Sequence, residues 1–159
     1  MPKRSDTPST PGVPLRLDDF LCFSVYRANH TFNRLYRPLL ERLGLTYPQY
    51  LAMVALWEVD DVTVGELGAR LGLESSTLTP LLKRLEAQGL VARARDPNDE
   101  RQVRLRLTQA GRALEAPACA VPAEMLAGAD LSLEDLSRIK GEIDRLKTAL
   151  ERAETAAAG

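Results

Sequence analysis

Two cysteines, Cys22 and Cys119, are the only thiols in the sequence and its most reactive side chains. A thiolate attacks the O–O bond of a peroxide or another sulfur, provided its surroundings support the negative charge. Cys22 stands in the apolar run Phe20-Leu21-Cys22-Phe23, and Tyr26 follows it at i+4. On a helix the phenol and the thiol therefore share a face. That setting allows a small buried hydrophobe or a reactive thiol with a phenolic neighbour. Cys119 lies in the run APACAVP, between Pro117 and Pro122, where it is either filler or a second reactive thiol. His30 is the only histidine. Without cysteines or carboxylates at ligand spacing it makes no metal site. The sequence has no Gly-rich phosphate loop, nucleophile elbow or supported carboxylate pair, so it implies no cofactor and argues against an enzyme.

The elements that must hold these thiols are helices. Leu17, Phe20, Leu21, Val25, Ala28, Phe32, Leu35, Leu39 and Leu43 keep helical spacing up to Gly44, with Asp18 and Asp19 in the first turn. Such a helix is ~40 Å long at 1.5 Å per residue, and Pro38 should kink it. Thr46, Pro48 and Gln49 open a second helix to about Glu58 that should bury Tyr50, Leu51, Val54 and Trp57. Further on, Thr108 caps an alanine-rich stretch to Ala127, which Pro117 and Pro122 should break into two segments or kink. After a turn at Gly128-Ala129, Ser132 and Asp135 form a capping box. Leu133, Leu136, Ile139, Ile143, Leu146 and Leu150 then give a nearly heptad stripe before a fraying ETAAAG end. One small domain cannot cover both the first and last stripes. Residues 17–58 and 109–154 are therefore read as a helical dimerisation region, and the chain as half of a two-fold homodimer.

Between these arms, residues 59–108 carry a different pattern. Asp60-Asp61 forms a loop, and Thr63 with Glu66 makes a capping box ahead of Leu67 and Leu71. Gly72 ends that helix, and Ser75, Ser76 and Thr77 offer the next N-cap. Leu78, Leu81, Leu82 and Leu85 form its stripe, with Pro80 placed in or near the first turn, and Gly89 stops it. The period then falls from 3.6 to 2. Leu90, Ala92 and Ala94 alternate with Val91, Arg93 and Arg95, and Val103, Leu105 and Leu107 alternate with Arg104 and Arg106. Asp96-Pro97-Asn98-Asp99 suits a type I turn. This is a helix-turn-helix followed by a two-stranded wing, a winged helix whose second helix can enter a DNA major groove. From Glu74 to Leu107, Lys83, Arg84, Arg93, Arg95, Arg101, Arg104 and Arg106 face Glu74, Glu86, Asp96, Asp99 and Glu100. The basic surplus is small, so placement matters more than net charge. The expectation is four arginines on the wing's outward face and hydroxyls opening the recognition helix.

Composition sets the bounds. The 159 residues are 45% hydrophobic and 27% charged, ordinary for one globular unit. A net charge of −1 gives no general attraction to polyanions, so DNA affinity must come from a local patch. No apolar run reaches the roughly 18 residues of a membrane span. Residues 1–16 lack a signal-peptide core and read as a disordered arm. The expected location is the cytoplasm, where the two thiols would be reduced.

Several segments carry a family resemblance. The run DPNDERQVRLRLTQAG resembles the wing signature of the MarR family of winged-helix regulators. FLCFSVYRANHTFNRLYRPLL, LTYPQYLAMVALWE and LESSTLTPLLKRLEAQGLVAR resemble its organic-hydroperoxide-sensing repressor branch. The likeness runs from about Leu17 to Leu114. It implies a mainly α fold with a small β-wing, a winged helix-turn-helix whose N- and C-terminal helices form the dimerisation domain.

The resemblance also implies roles. Cys22 matches the branch's reactive thiol, with Tyr26 and Tyr36 matching phenols that hydrogen-bond to it. Cys119 falls where part of the family carries a second cysteine that closes an intersubunit disulfide after Cys22 is oxidised. Cys22 and Tyr36 stand fourteen residues apart, or ~21 Å along a straight helix, so Tyr36 would have to come from an antiparallel partner helix. The partners implied are a pseudo-palindromic double-stranded DNA operator and an organic hydroperoxide as inducer. On the DNA side Ser75, Ser76, Thr77 and Thr79 would meet bases and backbone, and Lys83 and Arg84 phosphates. Arg93 and Arg95 would steady the wing, and Arg101, oriented by Asp99, would enter the minor groove. Two alternatives stand beside this reading. One is a regulator of the same fold released by a phenolic ligand in the dimer cleft. The other is a thiol peroxidase, for which the sequence offers no reductant site.

Overall fold

The computed structural model of the chain describes residues 16–129 and 131–158. The expected disordered arm thus lies outside the described residues, apart from Arg16. A 3-10 turn at Leu17–Asp19 is followed by α1 (Leu21–Glu41), α2 (Tyr47–Glu58), β1 (Val62–Thr63), α3 (Val64–Leu71) and α4 (Ser75–Ala87). Then come β2 (Val91–Arg95), β3 (Val103–Leu107), α5 (Gln109–Ala113), α6 (Glu115–Ala118), α7 (Val121–Ala127) and α8 (Leu133–Ala157). The architecture is mainly helical with one small antiparallel sheet.

Most of the local signals hold. The capping boxes Thr63/Glu66 and Ser132/Asp135 form in both directions, and at Thr46 the Gln49 side chain accepts the Thr46 N–H at 2.8 Å; each satisfies backbone N–H groups that the helix leaves free. Gly72 and Gly89 take the left-handed backbone, φ 64° and 72°, that closes α3 and α4. Thr108 caps α5 by accepting from the Gly111 N–H. Pro117 and Pro122 lie in the broken region, which has three short segments rather than two, with Cys119 capping the second.

Other expectations need correcting. The first helix starts at Leu21, because extended backbone at Phe20 (φ −88°, ψ 118°) separates it from the 3-10 turn. Asp18 and Asp19 therefore precede α1, and Cys22 is its second residue. Pro38 lies inside the helix, which ends at Glu41 rather than running to Gly44. Leu51 is exposed rather than buried. Helix α4 has Glu74 at its N-cap, without a side-chain cap bond, and Ser75 as its first residue. Pro80 is thus its sixth residue, past the first turn, and withholds the N–H that would meet the Ser76 carbonyl. Of the end expected to fray, Glu154 to Ala157 are helical, since α8 runs to Ala157.

The wing departs furthest from expectation. Its sheet has three strands in the order β1-β3-β2. The register pairs Val91 with Leu107, Arg93 with Leu105 and Arg95 with Val103. Cross-strand partners share a face, so fully buried Val91 and Leu105 draw Arg93 and Arg95 to the core-facing side. Arg104 and Arg106 lie on the other side with Ala92 and Ala94. The four arginines are split two and two.

The core joins the winged helix to its neighbours. Leu40, Met53, Leu56, Leu67, Leu78, Leu82, Leu85, Val91, Leu105 and Val121 are fully buried within it. At roughly 1.5–3 kcal/mol per large apolar side chain, these leucines fix the angle at which α4 is presented. At Gly111 a Cβ would stand 2.0 Å from the Leu90 carbonyl oxygen, so no larger residue fits where α5 crosses the strand.

Candidate DNA interface and thiol site

Ser75, Ser76 and Thr77 are exposed as the first three residues of α4; the Thr77 N–H already donates to the Glu74 carbonyl at 3.0 Å, and those of Ser75 and Ser76, ahead of it, precede any helical acceptor. Thr79 is half-buried, and Lys83 and Arg84 project into solvent further along. A groove of about 430 Å³ runs between α4 and the wing, lined by Ser75, Thr79, Arg93, Arg101 and Gln102. The helix opening and the wing tip thus flank one channel.

The wing loop spans Asp96 to Gln102, longer than the four-residue turn expected, and its own polar groups hold it. The Asp96 N–H donates to the Gln102 carbonyl at 2.9 Å, and Asp96 Oδ1 accepts the Asn98 N–H at 2.8 Å. Asp99 Oδ1 accepts from the Arg101 N–H at 3.1 Å and from Arg101 Nε at 3.3 Å. The Arg101 N–H first, then the Gln102 amide at 3.2 Å and the Arg101 side chain, hold the Asp99 carboxyl below its usual range. The Arg101 guanidinium is itself 93% exposed. Arg95 is also exposed, reaching only the Glu100 carbonyl at 3.5 Å. Arg93 differs: it turns back to Glu86 of α4 at 2.7 Å, which lowers the Glu86 carboxyl.

Sequence reasoning missed the acidic pair before β1. Asp60 accepts from the Leu107 N–H and pairs with Arg112, both at 2.7–2.8 Å. Asp61, left-handed at φ 59°, pairs with Arg104 and Arg106. Hydrogen bonds from Arg106 and then Arg104 lower its carboxyl to about 2. The sequence signal was the Asp-Asp step beside arginine-bearing strands, but only the fold brings them together.

Cys22 is exposed on α1, and Tyr26, also exposed, sets its ring edge-on against His30 at 4.3 Å. Their neighbours Leu21 and Val25 line an open groove of about 910 Å³ along Ile139, Ile143 and Leu146 of α8. Tyr36 lies toward the other end of α1. Its ring is 4.8 Å from Tyr47 and 6.0 Å from Tyr50. Tyr50 in turn lines a cleft of about 290 Å³ with Val54, Trp57 and Cys119. Burial raises all three phenols above their ordinary value. Tyr47 and Tyr50 add to this at Tyr36, and the Cys119 thiol does so at Tyr50. These hydroxyls therefore keep their protons and remain donors. The fold groups Tyr36 with Cys119 through Tyr50, and leaves Cys22 and Tyr26 at the opposite end of the helix.

Both thiols are free. Among the described residues no group of His, Cys, Asp and Glu could hold a metal ion, and no helix is long and apolar enough to cross a membrane.

A helix-turn-helix opened by exposed hydroxyls, beside an arginine-tipped wing, defines the class of winged-helix DNA-binding proteins. Residues 45–103 match the model of the MarR family. The chain is 41% identical over 138 residues to the organic hydroperoxide resistance transcriptional regulator of Bacillus subtilis, covering 87% of this chain and 94% of that one. It belongs to the MarR family and is a DNA-binding transcriptional regulator. It is also 56% identical over 109 residues to the regulator TtmR of Methylorubrum extorquens; that match spans 69% of this chain but only 56% of TtmR. Among solved structures, reduced AbfR bound to DNA superposes with a TM-score of 0.77 at 33% identity, covering 86% of this chain and 94% of AbfR. AbfR, from Staphylococcus epidermidis, has also been solved with its disulfide formed, with a TM-score of 0.59 at 34% identity over 86% and 91% of the two chains.

Proposed function

We propose that the chain is a homodimeric repressor that holds a pseudo-palindromic operator when reduced and releases it once an organic hydroperoxide oxidises Cys22. The observation that carries this reading is the grouping of Tyr36, Tyr50 and Cys119 at one end of α1 with Cys22 at the other. Two such helices running antiparallel would bring each Cys22 to the phenols and second thiol of its partner. The B. subtilis relative, named for organic hydroperoxide resistance, and disulfide-formed AbfR support the same chemistry.

The Cys22 thiolate attacks the outer oxygen of the hydroperoxide. The O–O bond breaks, the alkoxide takes a proton and leaves as an alcohol, and Cys22 becomes a sulfenic acid. The partner's Cys119 thiol then attacks that sulfur; the S–O bond breaks, water leaves and a disulfide links the subunits. The still-protonated phenols act as donors to the thiolate. The apolar neighbours Leu21, Phe23 and Val25 favour an organic oxidant over hydrogen peroxide.

In the reduced dimer α4 enters the major groove, with Ser75, Ser76, Thr77 and Thr79 meeting bases and backbone at its N-terminal end. Lys83, Arg84 and Arg95 contact phosphates. Arg93 reaches phosphate once it leaves Glu86, and Arg101 with Asp99 enters the minor groove. Pulling Cys22 toward Cys119 shifts α1 and the α6–α7 segment, which re-spaces the two reading heads.

The test is DNA binding before and after stoichiometric cumene hydroperoxide. Cys22→Ser should bind as the unaltered protein does and ignore the peroxide. A Cys22→Ser protein that still lets go on peroxide would refute the redox reading. Release by a phenol instead, filling the cleft between the subunits, would establish the ligand-responsive alternative.

A further inference from the structure

Arg104 was counted in the sequence among the charges that a wing could offer to DNA, yet its geometry turns it inward. It sits on the central strand β3, is 28% exposed, and spends every arm of its guanidinium on the protein. Nε donates to Asp61 Oδ1 at 2.7 Å and Nη1 to Asp96 Oδ2 at 3.0 Å, while Nη2 reaches the Asp61 carbonyl oxygen. Asp61 directly precedes the edge strand β1, and Asp96 directly follows the other edge strand β2. One side chain therefore ties together the outer two strands of a three-stranded sheet across the middle one.

The two acids also have duties of their own. Asp96, only 8% exposed, receives the Asn98 N–H that opens the loop leading to Asp99 and Arg101. Asp61 is the one non-glycine residue with left-handed backbone among the described residues. It sits at the joint between α2 and the sheet, and Arg106 binds it as well at 3.0 Å.

We propose that Arg104 is a positioning residue for DNA recognition: clamped between Asp61 and Asp96, it fixes the wing on the core so that the loop presents Arg101 in one orientation. It touches no DNA itself. Without the clamp the wing would have to be ordered on binding, and that ordering would be subtracted from affinity. The inference rests on the proposed docking of the wing tip on DNA.

Charge makes this reading separable from a direct contact. Asp61→Asn removes a negative charge from the DNA-facing domain, so general electrostatics predicts tighter binding. The clamp predicts the opposite. Asparagine accepts left-handed backbone, so the joint is kept. Arg104→Lys keeps a cation that would serve a phosphate as well, but its single ammonium lacks the planar fork that spans two carboxylates.

The experiment is a salt titration of binding to a duplex selected from a random-sequence pool by the unaltered protein. Asp61→Asn and Arg104→Lys should each weaken binding about tenfold, the scale of ordering a few side chains. Their slopes of log affinity against log salt should match the parent's. A lost phosphate contact would instead flatten the slope by about 0.9. Parental or tighter binding by Asp61→Asn overturns the proposal, and so does parental binding by Arg104→Lys. If Arg104→Lys does not fold, Asp61→Asn decides alone. Arg101→Ala is the control for the underlying docking: if it binds as the parent does, the wing reading itself fails, and the clamp fails with it.

Discussion

The winged helix and the two long arms solve opposite problems. The winged helix packs its leucines into one core with Leu40, Met53, Leu56 and Val121, and among the described residues no buried side-chain polar atom lacks a hydrogen-bond partner. Helices α1 and α8 leave their stripes bare. α1 buries only Leu40, and α8 buries nothing. Leu21 is 61% and Ile143 51% exposed, facing the same open groove. A contiguous apolar surface of this kind marks an interface. One region is thus complete as a single chain, and the other becomes complete only in the proposed dimer.

Substitutions can break that contrast at either end. Ile143→Glu should have the largest effect, because a charge in the α1–α8 groove separates the subunits and leaves each reading head alone on its half-site. Operator affinity should fall by roughly 10²–10⁴, the gain that linkage of two sites supplies. Sedimentation should then give a monomer, and an unaltered dimer would refute the assignment of the arms.

Leu82→Ala strikes the self-contained half. It should cost ~2–5 kcal/mol in urea unfolding. Unfolding of Ile143→Ala should depend on protein concentration, as dimer-coupled stability does. A cost of Ile143→Ala that stays the same at every protein concentration would erase the contrast between core and arms. Arg101→Ala should weaken operator binding by ~1–3 kcal/mol, the value of a good base contact, with melting temperature and dimer intact.

The smallest expected effect is in pH. Arg106 and Arg104 depress the Asp61 carboxyl from 3.8 to about 2. A group with a lowered folded value stabilises the fold fully above its unfolded value and loses that contribution as pH falls through the folded one. The melting difference between parent and Asp61→Asn should therefore be constant from neutral pH down to about 5, then close as acid approaches the lower value. A difference that widens in acid would contradict the ion pairs.

These contrasts also explain what was legible in the sequence. Capping boxes and leucine stripes depend on residues three or four apart, so Thr63 with Glu66, Ser132 with Asp135, and the run from Leu78 to Leu85 could be read directly. The strand Val62–Thr63 has no pattern of its own. It exists because β3 offers an unpaired edge, which makes the wing three-stranded. The wing's alternation of alanine, arginine and leucine fits either face, and burial of Val91 chose the one that sent Arg93 toward Glu86. Asp60 and Asp61 read as a loop, since their partners lie more than forty residues away. For the thiols, sequence supplied the residues and the fold supplied the grouping, because Tyr36, Tyr50 and Cys119 meet only through packing of α1, α2 and α6.

The central claim is that Cys22 works on its partner's Cys119, and a mixed dimer tests it most directly. Chains carrying Cys22→Ser and chains carrying Cys119→Ser are co-folded, treated with one equivalent of cumene hydroperoxide, and run on a non-reducing gel. Neither variant alone can join Cys22 to Cys119. The mixture should give a covalent dimer that dithiothreitol reverses, together with loss of DNA binding. A mixture that stays monomeric on the gel, while the unaltered protein oxidises to a disulfide within one chain, would contradict the account.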